Sequence, residues 1–302
     1  MVTGGYGFIG SHVVDRLVQA GHDVFVLDDF STGSFKNLEH LDVIRYMICD
    51  ISDDKIVFLA FDGVKPDIVI HLAAQAAITT AENDPMRDLE VNGIGTLVML
   101  RNAMKAGVKR FVYAPTSAVY GAKNLAMNED TSKCPDTYYG VSKYVGEMYA
   151  RMMDIQTTVL RFGNVYGPRQ VPIGENQVIA RMMRHLIYGD DFQIFGDGEQ
   201  KRDFVYVEDV ARAVEQAAMD DRLSMHQVFN VAGGESYTVN QVAKVVAKVC
   251  ELPGYDWEYN KRRMDERRNA RMTIKSAFDC LNWKPETGLI EGLKKTAEWW
   301  KQ

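Results

Sequence analysis

The sequence predicts an α/β fold: a doubly wound parallel sheet that carries a smaller, mixed α/β domain. Three observations predict it. Short apolar runs alternate with helix-length stretches through the first half of the chain. A glycine-rich loop opens directly onto the first of those helices. After Tyr166 the alternation loosens, and Gly167-Pro168-Arg169 reads as a turn. Strands alternating with helices imply βαβ units, hence a parallel sheet with helices on both faces.

The elements follow in order. Val24-Phe25-Val26-Leu27 is a short apolar run ending at Asp28, and Val43 to Cys49 is a second strand. Asp67 to Leu72 is a third, opening after Pro66; Arg110 to Ala114 is a fourth and Thr157 to Phe162 a fifth. Helices are expected over Phe8–Ala20, Asp88–Lys105 and Tyr139–Met153. Beyond the turn, Glu208–Met219 reads as a helix and Gln227–Val231 as a strand, and both are assigned back to the first domain. The expected division is 1–165 plus about 208–232 for the larger domain, and about 166–207 with 233–302 for the smaller. A glycine loop of this type normally follows a full buried strand, yet only Met1-Val2-Thr3 precede Gly4.

Composition bounds the function. With 302 residues, 46% hydrophobic and 25% charged, the chain can bury a large core. Its net charge is 35 − 41 = −6, which argues against nucleic acid as a partner. Cys49, Cys134, Cys250 and Cys280 are far apart and form no CxxC pair. Neither a metal site nor a disulfide framework is suggested, and reduced thiols fit a cytoplasmic protein. No apolar run approaches membrane-spanning length, and the glycine-rich start is unlike a signal peptide.

The opening reads Thr3-Gly4-Gly5-Tyr6-Gly7-Phe8-Ile9-Gly10-Ser11. Gly4, Gly7 and Gly10 make a G-x-x-G-x-x-G loop. The first glycine permits a tight turn, the second admits a pyrophosphate against the backbone, and the third lets helix and sheet pack closely. Amides at the helix N-terminus then face the phosphates. Asp28 stands 18 positions beyond Gly10 at the end of a strand, where a carboxylate binds ribose. Asp29 and Phe30 follow, with no cation, so a 2′-phosphate is repelled and NAD is preferred to NADP. The fold is therefore of Rossmann type. Asp50-Ile51, ending the next strand, are placed to meet the adenine.

Tyr139-Gly140-Val141-Ser142-Lys143 sets a tyrosine and a lysine four apart, on one helix face. A cation beside a phenol stabilises phenolate, so a lowered Tyr139 pKa and acid/base chemistry are expected. Tyr138, five from Lys143, falls off that face.

These segments together resemble the extended short-chain dehydrogenase/reductases, in the branch of sugar-nucleotide epimerases and dehydratases. The resemblance spans nearly the whole chain. It rests on Thr3–Gly10, on Leu27-Asp28-Asp29 with Ser31-Thr32-Gly33, and on His71-Leu72-Ala73-Ala74-Gln75. It continues through Asn92 with Gly95-Thr96, Pro115 to Gly121, and Tyr139 to Lys143. Leu160 to Arg169 and Gly196-Asp197-Gly198 through Arg202-Asp203-Phe204 complete it.

What the resemblance implies is specific. NAD would be held by Gly4, Gly7, Phe8, Ile9, Gly10, Asp28, Asp29, Asp50 and Ile51. Leu72, Ala73, Ala74, Asn92, Ala114, Phe162, Tyr139 and Lys143 would complete the cofactor site. Thr116 would hydrogen-bond the sugar 4-hydroxyl and Tyr139, with Ser117 a second candidate. Tyr139 would take the 4-hydroxyl proton, and Lys143 would hold the nicotinamide ribose. Asn164, Arg202 and Arg263 would meet the substrate diphosphate, and Phe195 the nucleotide base. Val178, Glu266 and Ala270 complete the expected substrate site of the smaller domain.

The family shares a first step, hydride transfer from C4 of the sugar to NAD, giving a 4-keto sugar. Its dehydratases carry Asp-Glu directly after the catalytic Thr, and its decarboxylases tend to carry Glu two positions after it. Here Ser117-Ala118 follow Thr116. The resemblance therefore implies 4-epimerisation of UDP-glucose and UDP-galactose. A small residue at Ala270 is expected to admit the N-acetylated UDP-hexosamines as well. Dehydration, decarboxylation or reduction of a nucleotide sugar are the alternatives, and a non-catalytic NAD-binding protein is the rival from another class. Uridine is implied by the resemblance alone, with GDP and dTDP beside it. A homodimer is expected through the helices at Asp88–Lys105 and Tyr139–Met153.

Overall fold

Seven parallel strands form the central sheet of the structure, a computed structural model that describes residues 1–41, 44–123, 125–172, 177–261 and 270–302. The strands among the described residues are β1 (Val2–Thr3), β2 (Phe25–Asp28), β3 (Arg45–Ile48), β4 (Ile68–His71), β5 (Arg110–Tyr113) and β6 (Thr157–Phe162). Then come β7 (Asn164–Tyr166), β8 (Ile194–Phe195), β9 (Lys201–Tyr206), β10 (Gln227–Val231), β11 (Ser236–Thr238) and β12 (Tyr259–Asn260). The helices are α1 (Phe8–Gln19), α2 (Asp54–Val64), α3 (Ile78–Asn83), α4 (Pro85–Leu89), α5 (Thr96–Lys105) and α6 (Tyr138–Met152). They continue with α7 (Val178–Tyr188), α8 (Val207–Met219), α9 (Val239–Val249), α10 (Lys275–Leu281) and α11 (Leu289–Trp300).

The sheet order is β10-β6-β5-β4-β1-β2-β3. The chain leaves β1 in one direction through β2 and β3, then returns to its other side with β4. That reversal opens a crevice at the carboxyl ends of β1 and β4, where such sheets bind ligands. Strands buried on both faces need continuous apolar runs, and Ile68-Val69-Ile70 in β4 supplies one. On one face, Val13, Val14 and Leu17 of α1 pack with Val210 and Val214 of α8. On the other, Val57 and Phe61 of α2 join Met99 and Leu100 of α5.

A second layer follows β6. The chain crosses Gly163 into β7, which pairs with β9, and β9 pairs antiparallel with β11. Helices α7, α9 and α11 enclose a separate apolar cluster there, including Met183, Val242, Leu293 and Trp300. α9 begins at a full capping box, in which Thr238 and Gln241 each satisfy the other's backbone amide.

One expected element is corrected. The stretch over Asp88–Lys105 is not a single helix. It is α4, a π-helical segment at Glu90–Gly95, and α5. Both glycines of that segment are pressed against neighbours: a Cβ on Gly93 would stand 2.9 Å from Leu89 Cδ1, and one on Gly95 would stand 3.0 Å from Ile51 Cδ1. The helix begins earlier because Asp84 caps it and Pro85 occupies its first turn. Of the strand expected from Val43, the described part is Arg45–Ile48, and Val43 lies outside the described residues. No helix among the described residues is long and apolar enough to cross a membrane.

Candidate active site

A cleft of about 410 Å³ opens at the crevice. Gly4, Gly7, Phe8, Ile9 and Gly10 line its floor, followed by Asp28 at the end of β2 with Asp29 after it, and Asp50 and Ile51 after β3. Leu72, Ala73 and Ala74 after β4, Ala114 after β5 and Phe162 at the end of β6 continue the wall. Tyr139 and Lys143 of α6 close it.

The glycine loop has no room for side chains where it turns. Gly4 sits at φ +67°, and a Cβ there would lie 2.8 Å from Ala73 N. A Cβ on Gly10 would stand 2.0 Å from Gly4 O, so only glycine lets α1 approach the loop. Gly7 forms the N-cap of α1 and offers no side chain to its first amides. An uncapped helix N-terminus that lines a cleft is suited to a phosphate.

Asp28 is 5% exposed. It accepts the Tyr6 amide at 2.8 Å and the Phe30 amide at 2.9 Å. Burial pushes its carboxyl up, while the amides of Phe30, Tyr6 and Gly7 pull it down. Asp29, outside it, accepts the amide and hydroxyl of Ser31. Asp50 takes the Ser52 amide at 2.9 Å and an ion pair from Arg87. These features fit NAD on the structure's own terms: uncapped amides for a diphosphate, a carboxylate for a ribose, and glycines where nothing larger fits.

At the other end, Tyr139 and Lys143 lie one turn apart on α6, whose N-cap Thr137 accepts the Gly140 amide. Thr116 follows β5, and its hydroxyl oxygen accepts the Ala118 amide at 3.2 Å. The same hydroxyl lies near enough to the Tyr139 phenol to pull its pKa down. Lys143 is 4% exposed, with Nζ 5.1 Å from the centroid of the Tyr113 ring.

The expected lowering of the Tyr139 pKa is corrected by these surroundings. Burial pushes the phenol up to about 12, with the Thr116 hydrogen bond opposing and the Asp88 charge reinforcing. Burial pushes Lys143 down to about 8, with Asp88 opposing. Burial disfavours both charges, and the lysine lies over Tyr113 as well as beside its helix partner.

Other expected residues fall differently. Asn92 does not face the cleft; it is 1% exposed and works as a strut. Its amide donates to Gln75 O at 3.0 Å and Asp88 Oδ1 at 2.9 Å, and stands 3.2 Å from Ser142 Oγ. Ser117 begins the 3-10 turn after Thr116, and Ala118 behind it is buried. Asn164, half-buried, donates to Asp203 O at 3.2 Å. Val178 starts α7, one residue past Gln177 on the rim. Phe195 ends β8 and Arg202 lies on β9, both in the second layer, and Ala270 is half-buried; all three are outside the lining of this cleft. Arg263 and Glu266 lie outside the described residues.

Sequence reasoning gave no role to Arg87, Arg169 or Gln75, all of which line the cleft. Arg169 was visible within Gly167-Pro168-Arg169, and its ion pair to Asp15 at 2.7 Å ties that turn to α1. Arg87 stands in no recognisable motif.

The fold and cleft define a dinucleotide-binding α/β enzyme whose cleft is lined by Tyr139 and Lys143. The chain belongs to the NAD-dependent epimerase/dehydratase family, whose model matches residues 1–232. It is 35% identical to a UDP-glucose 4-epimerase of Mycolicibacterium smegmatis, over 100% of this chain and 98% of that protein. It also resembles the crystal structure of a UDP-glucose 4-epimerase of Thermotoga maritima with UDP-glucose. There the identity is 38% and the TM-score 0.92, covering 99% of this chain and 97% of the other. A Thermus thermophilus UDP-glucose 4-epimerase in complex with NAD is 33% identical, with a TM-score of 0.90 and coverage of 99% and 97%.

Proposed function

We propose that this chain catalyses NAD-dependent 4-epimerisation of a UDP-hexose, interconverting UDP-glucose and UDP-galactose. One observation carries this reading over its neighbours in the family. The acidic side chains in the described cleft lining are Asp28, Asp29 and Asp50, all beyond β2 and β3 at the adenosine end. Beside Thr116, Ser117-Ala118 supply no carboxyl group. Elimination of water from C5 and C6 therefore lacks an acid/base pair at the sugar end. Oxidation at C4 followed by return of the hydride needs none beyond Tyr139.

The geometry supports the following roles. The Thr116 hydroxyl stands near the Tyr139 phenol and orients a sugar hydroxyl placed between them. Tyr139 receives the proton of the sugar 4-hydroxyl and returns it after the sugar has turned over. The Lys143 ammonium offsets the charge that Tyr139 gains as phenolate. The backbone amides of Gly7 to Gly10 hold a diphosphate, and Asp28 holds the adenosine ribose and repels a 2′-phosphate. NAD held by the glycine loop and Asp28 would supply the hydride-accepting and hydride-donating chemistry that oxidation and reduction at C4 require. Asn164, Val178, Phe195, Arg202 and Ala270, with Arg263 and Glu266, are proposed to hold the sugar nucleotide from the second layer. An NAD domain of 1–165 plus about 208–232 is proposed, with the remainder binding substrate, although Ala277, Leu281 and Trp283 of the remainder pack in the larger domain's core. We place the protein in the cytoplasm as a homodimer.

The test is direct. Purified protein with NAD is incubated with UDP-galactose, and the anomeric proton signals are followed by NMR. The gluco epimer at unchanged mass, without net NADH, is the expected product. A keto or decarboxylated sugar from another nucleotide sugar would replace epimerisation with one of the family's other reactions.

A further inference from the structure

One cation of the cleft lining has no part in these roles. Arg87 of α4 stands against Asp50, which follows β3, and both line the cleft. Its guanidinium donates through Nη2 to Asp50 Oδ2 and through Nη1 to Glu90 Oε2, the latter at 2.8 Å. Local chemistry sets its place: Asp84 accepts the Arg87 amide at 3.0 Å, and Pro85 starts α4. The other Asp50 oxygen, Oδ1, accepts the Ser52 amide at 2.9 Å and the Ser52 hydroxyl at 2.7 Å. Asp50 is therefore held by its own loop on one oxygen and by a residue 37 positions along the chain on the other.

Asp50 stays an anion in this setting. Burial pushes its carboxyl up, but the Ser52 amide and the Arg87 guanidinium outweigh that and hold it below the ordinary carboxylate range. A carboxylate offers about four acceptor sites, two on each oxygen. Ser52 fills those of Oδ1, and Arg87 takes one on Oδ2. The side chain is 34% exposed, so a donor in the cleft can reach the remaining site. Arg87 is no phosphate anchor, because one guanidinium between two carboxylates leaves a net negative charge. A held anion with one acceptor site left suits a neutral donor. The exocyclic amino group of adenine is such a donor, whereas a purine with a carbonyl in its place would set oxygen against oxygen.

We infer that Arg87 is a positioning residue for cofactor recognition: it holds Asp50 as the acceptor that selects a 6-amino purine, and it acts only through Asp50. The inference rests on the placing of adenine beside Asp50, and not on the reaction at the sugar end.

The test is a competition. Purified protein is equilibrated with equal, excess concentrations of NAD and nicotinamide hypoxanthine dinucleotide, which carries a carbonyl where adenine has its amino group. Unbound nucleotide is filtered off, and the retained ratio is read by mass spectrometry. The wild type is expected to favour NAD by roughly tenfold or more, the worth of one hydrogen bond to a charged acceptor. Arg87→Met should lower that preference by about fivefold or more, the coupling expected between groups in contact. Arg87→Lys should restore part of it. In an Asp50→Ala background, adding Arg87→Met should leave the ratio unchanged. A merely structural role would weaken both dinucleotides equally and keep the wild-type ratio. That result overturns the inference, as does a wild type that retains the two nucleotides equally. A guanidinium that touched the purine itself would still move the ratio without Asp50, and that too would overturn it. Arg87→Gln gives the same readout should the methionine variant fail to fold. A protein that epimerises no UDP-sugar would remove the proposed function and leave this measurement standing.

Discussion

Arg161 of β6 and Glu147 of α6 form a two-pronged ion pair with neither side chain exposed to solvent. The guanidinium also donates to Tyr120 Oη at 2.7 Å and to Glu129 O at 3.2 Å. Tyr120 in turn donates to Asn230 Oδ1 at 2.7 Å. Glu147 lies two turns beyond Tyr139, and Tyr120 closes the 3-10 turn that starts after Thr116. The pair therefore ties together the segments that carry Thr116 and Tyr139, the proposed catalytic hydroxyls. Removing one partner strands a buried charge, so Arg161→Met is expected to cost roughly 3–5 kcal/mol. Replacing both, as Arg161→Met with Glu147→Leu, is expected to recover most of that loss. Urea unfolding curves of the three proteins check it. A double variant no more stable than the single one would show that the network's hydrogen bonds outweigh its charge balance.

Tyr139→Phe removes the proposed proton acceptor and leaves the ring. The turnover number is expected to fall by roughly 10²–10⁴, with NAD content and KM for UDP-galactose little changed. NMR rates on the purified variant measure it. Thr116→Val should give a smaller loss, because the phenol keeps its place on α6 and loses one hydrogen bond. If Tyr139→Phe retained most of the activity, proton transfer would have to be assigned to another group.

Acidification should weaken the fold partly through two buried histidines. His71 sits between the hydroxyls of Thr3 and Thr96, and burial with the nearby Lys143 charge pushes its pKa down to about 3. His12 contacts Pro168 O at 3.1 Å, and burial, then Arg169, pushes it down to about 4. Both values are depressed below the ordinary histidine value of 6.5. The unfolded chain thus binds these protons more readily than the folded one. Their contribution is intact above pH 6.5 and is lost as pH falls toward the folded values, by about 1.4 kcal/mol per pH unit for each proton. Asp203 works in the opposite sense, since burial holds its carboxyl up at about 7 and its proton favours the folded state. The histidine part is isolated by difference: His12→Gln should flatten the stability-versus-pH curve between about pH 6.5 and 4 by that slope. Parallel curves for variant and wild type would show that His12 titrates normally in the fold.

The legible parts of this molecule are those where local chemistry and burial agree. β6 and β10 lie at the residues their apolar runs mark, Thr157–Phe162 and Gln227–Val231. The glycine loop was legible because only glycine can occupy Gly4 and Gly10. α2 was missed because its apolar stripe is blurred: Val57, Ala60 and Phe61 are buried, but Phe58 and Leu59 between them are exposed. The π-helical turn at Glu90–Gly95 was illegible because it depends on how Gly93 and Gly95 press on Leu89 and Ile51. The same limit applies to the chemistry. Spacing put Tyr139 and Lys143 on one face, but their proton affinities are set by desolvation and by Asp88, which no local pattern marks.

Ala270 offers a test of sugar selectivity. It stands directly before a stretch whose backbone is anchored: Arg271 O accepts the Met127 amide at 2.9 Å, and the Met272 amide donates to Asp203 Oδ2 at 3.0 Å. A side chain at Ala270 is therefore presented from fixed backbone beside β9, the strand of Arg202. The small residue is proposed to leave room for an N-acetyl group at C2. Ala270→Tyr should lower turnover of UDP-N-acetylgalactosamine relative to UDP-galactose by at least on the order of tenfold. NMR rates for both sugars give the ratio, and an unchanged ratio rejects Ala270 as the gate.

α6 has two faces with different fates. Tyr139, Lys143 and Glu147 turn inward, while Val141, Met148 and Met152 turn outward and remain exposed, Met152 by 76%. Met86 of α4 at 76% and Ile94 of the π-helical turn at 50% extend the apolar surface across the neighbouring segments. Exposed apolar side chains gathered on adjoining helices mark a contact surface. A second copy of the chain is the proposed occupant, because a two-fold contact would set the same helices against themselves. Met148→Glu with Met152→Glu places like charges opposite one another in such an interface and leaves the catalytic face untouched. Sedimentation equilibrium should then show a monomer where the wild type sediments as a dimer. A wild-type monomer at micromolar concentration, or a variant that still dimerises, would move the contact off this face.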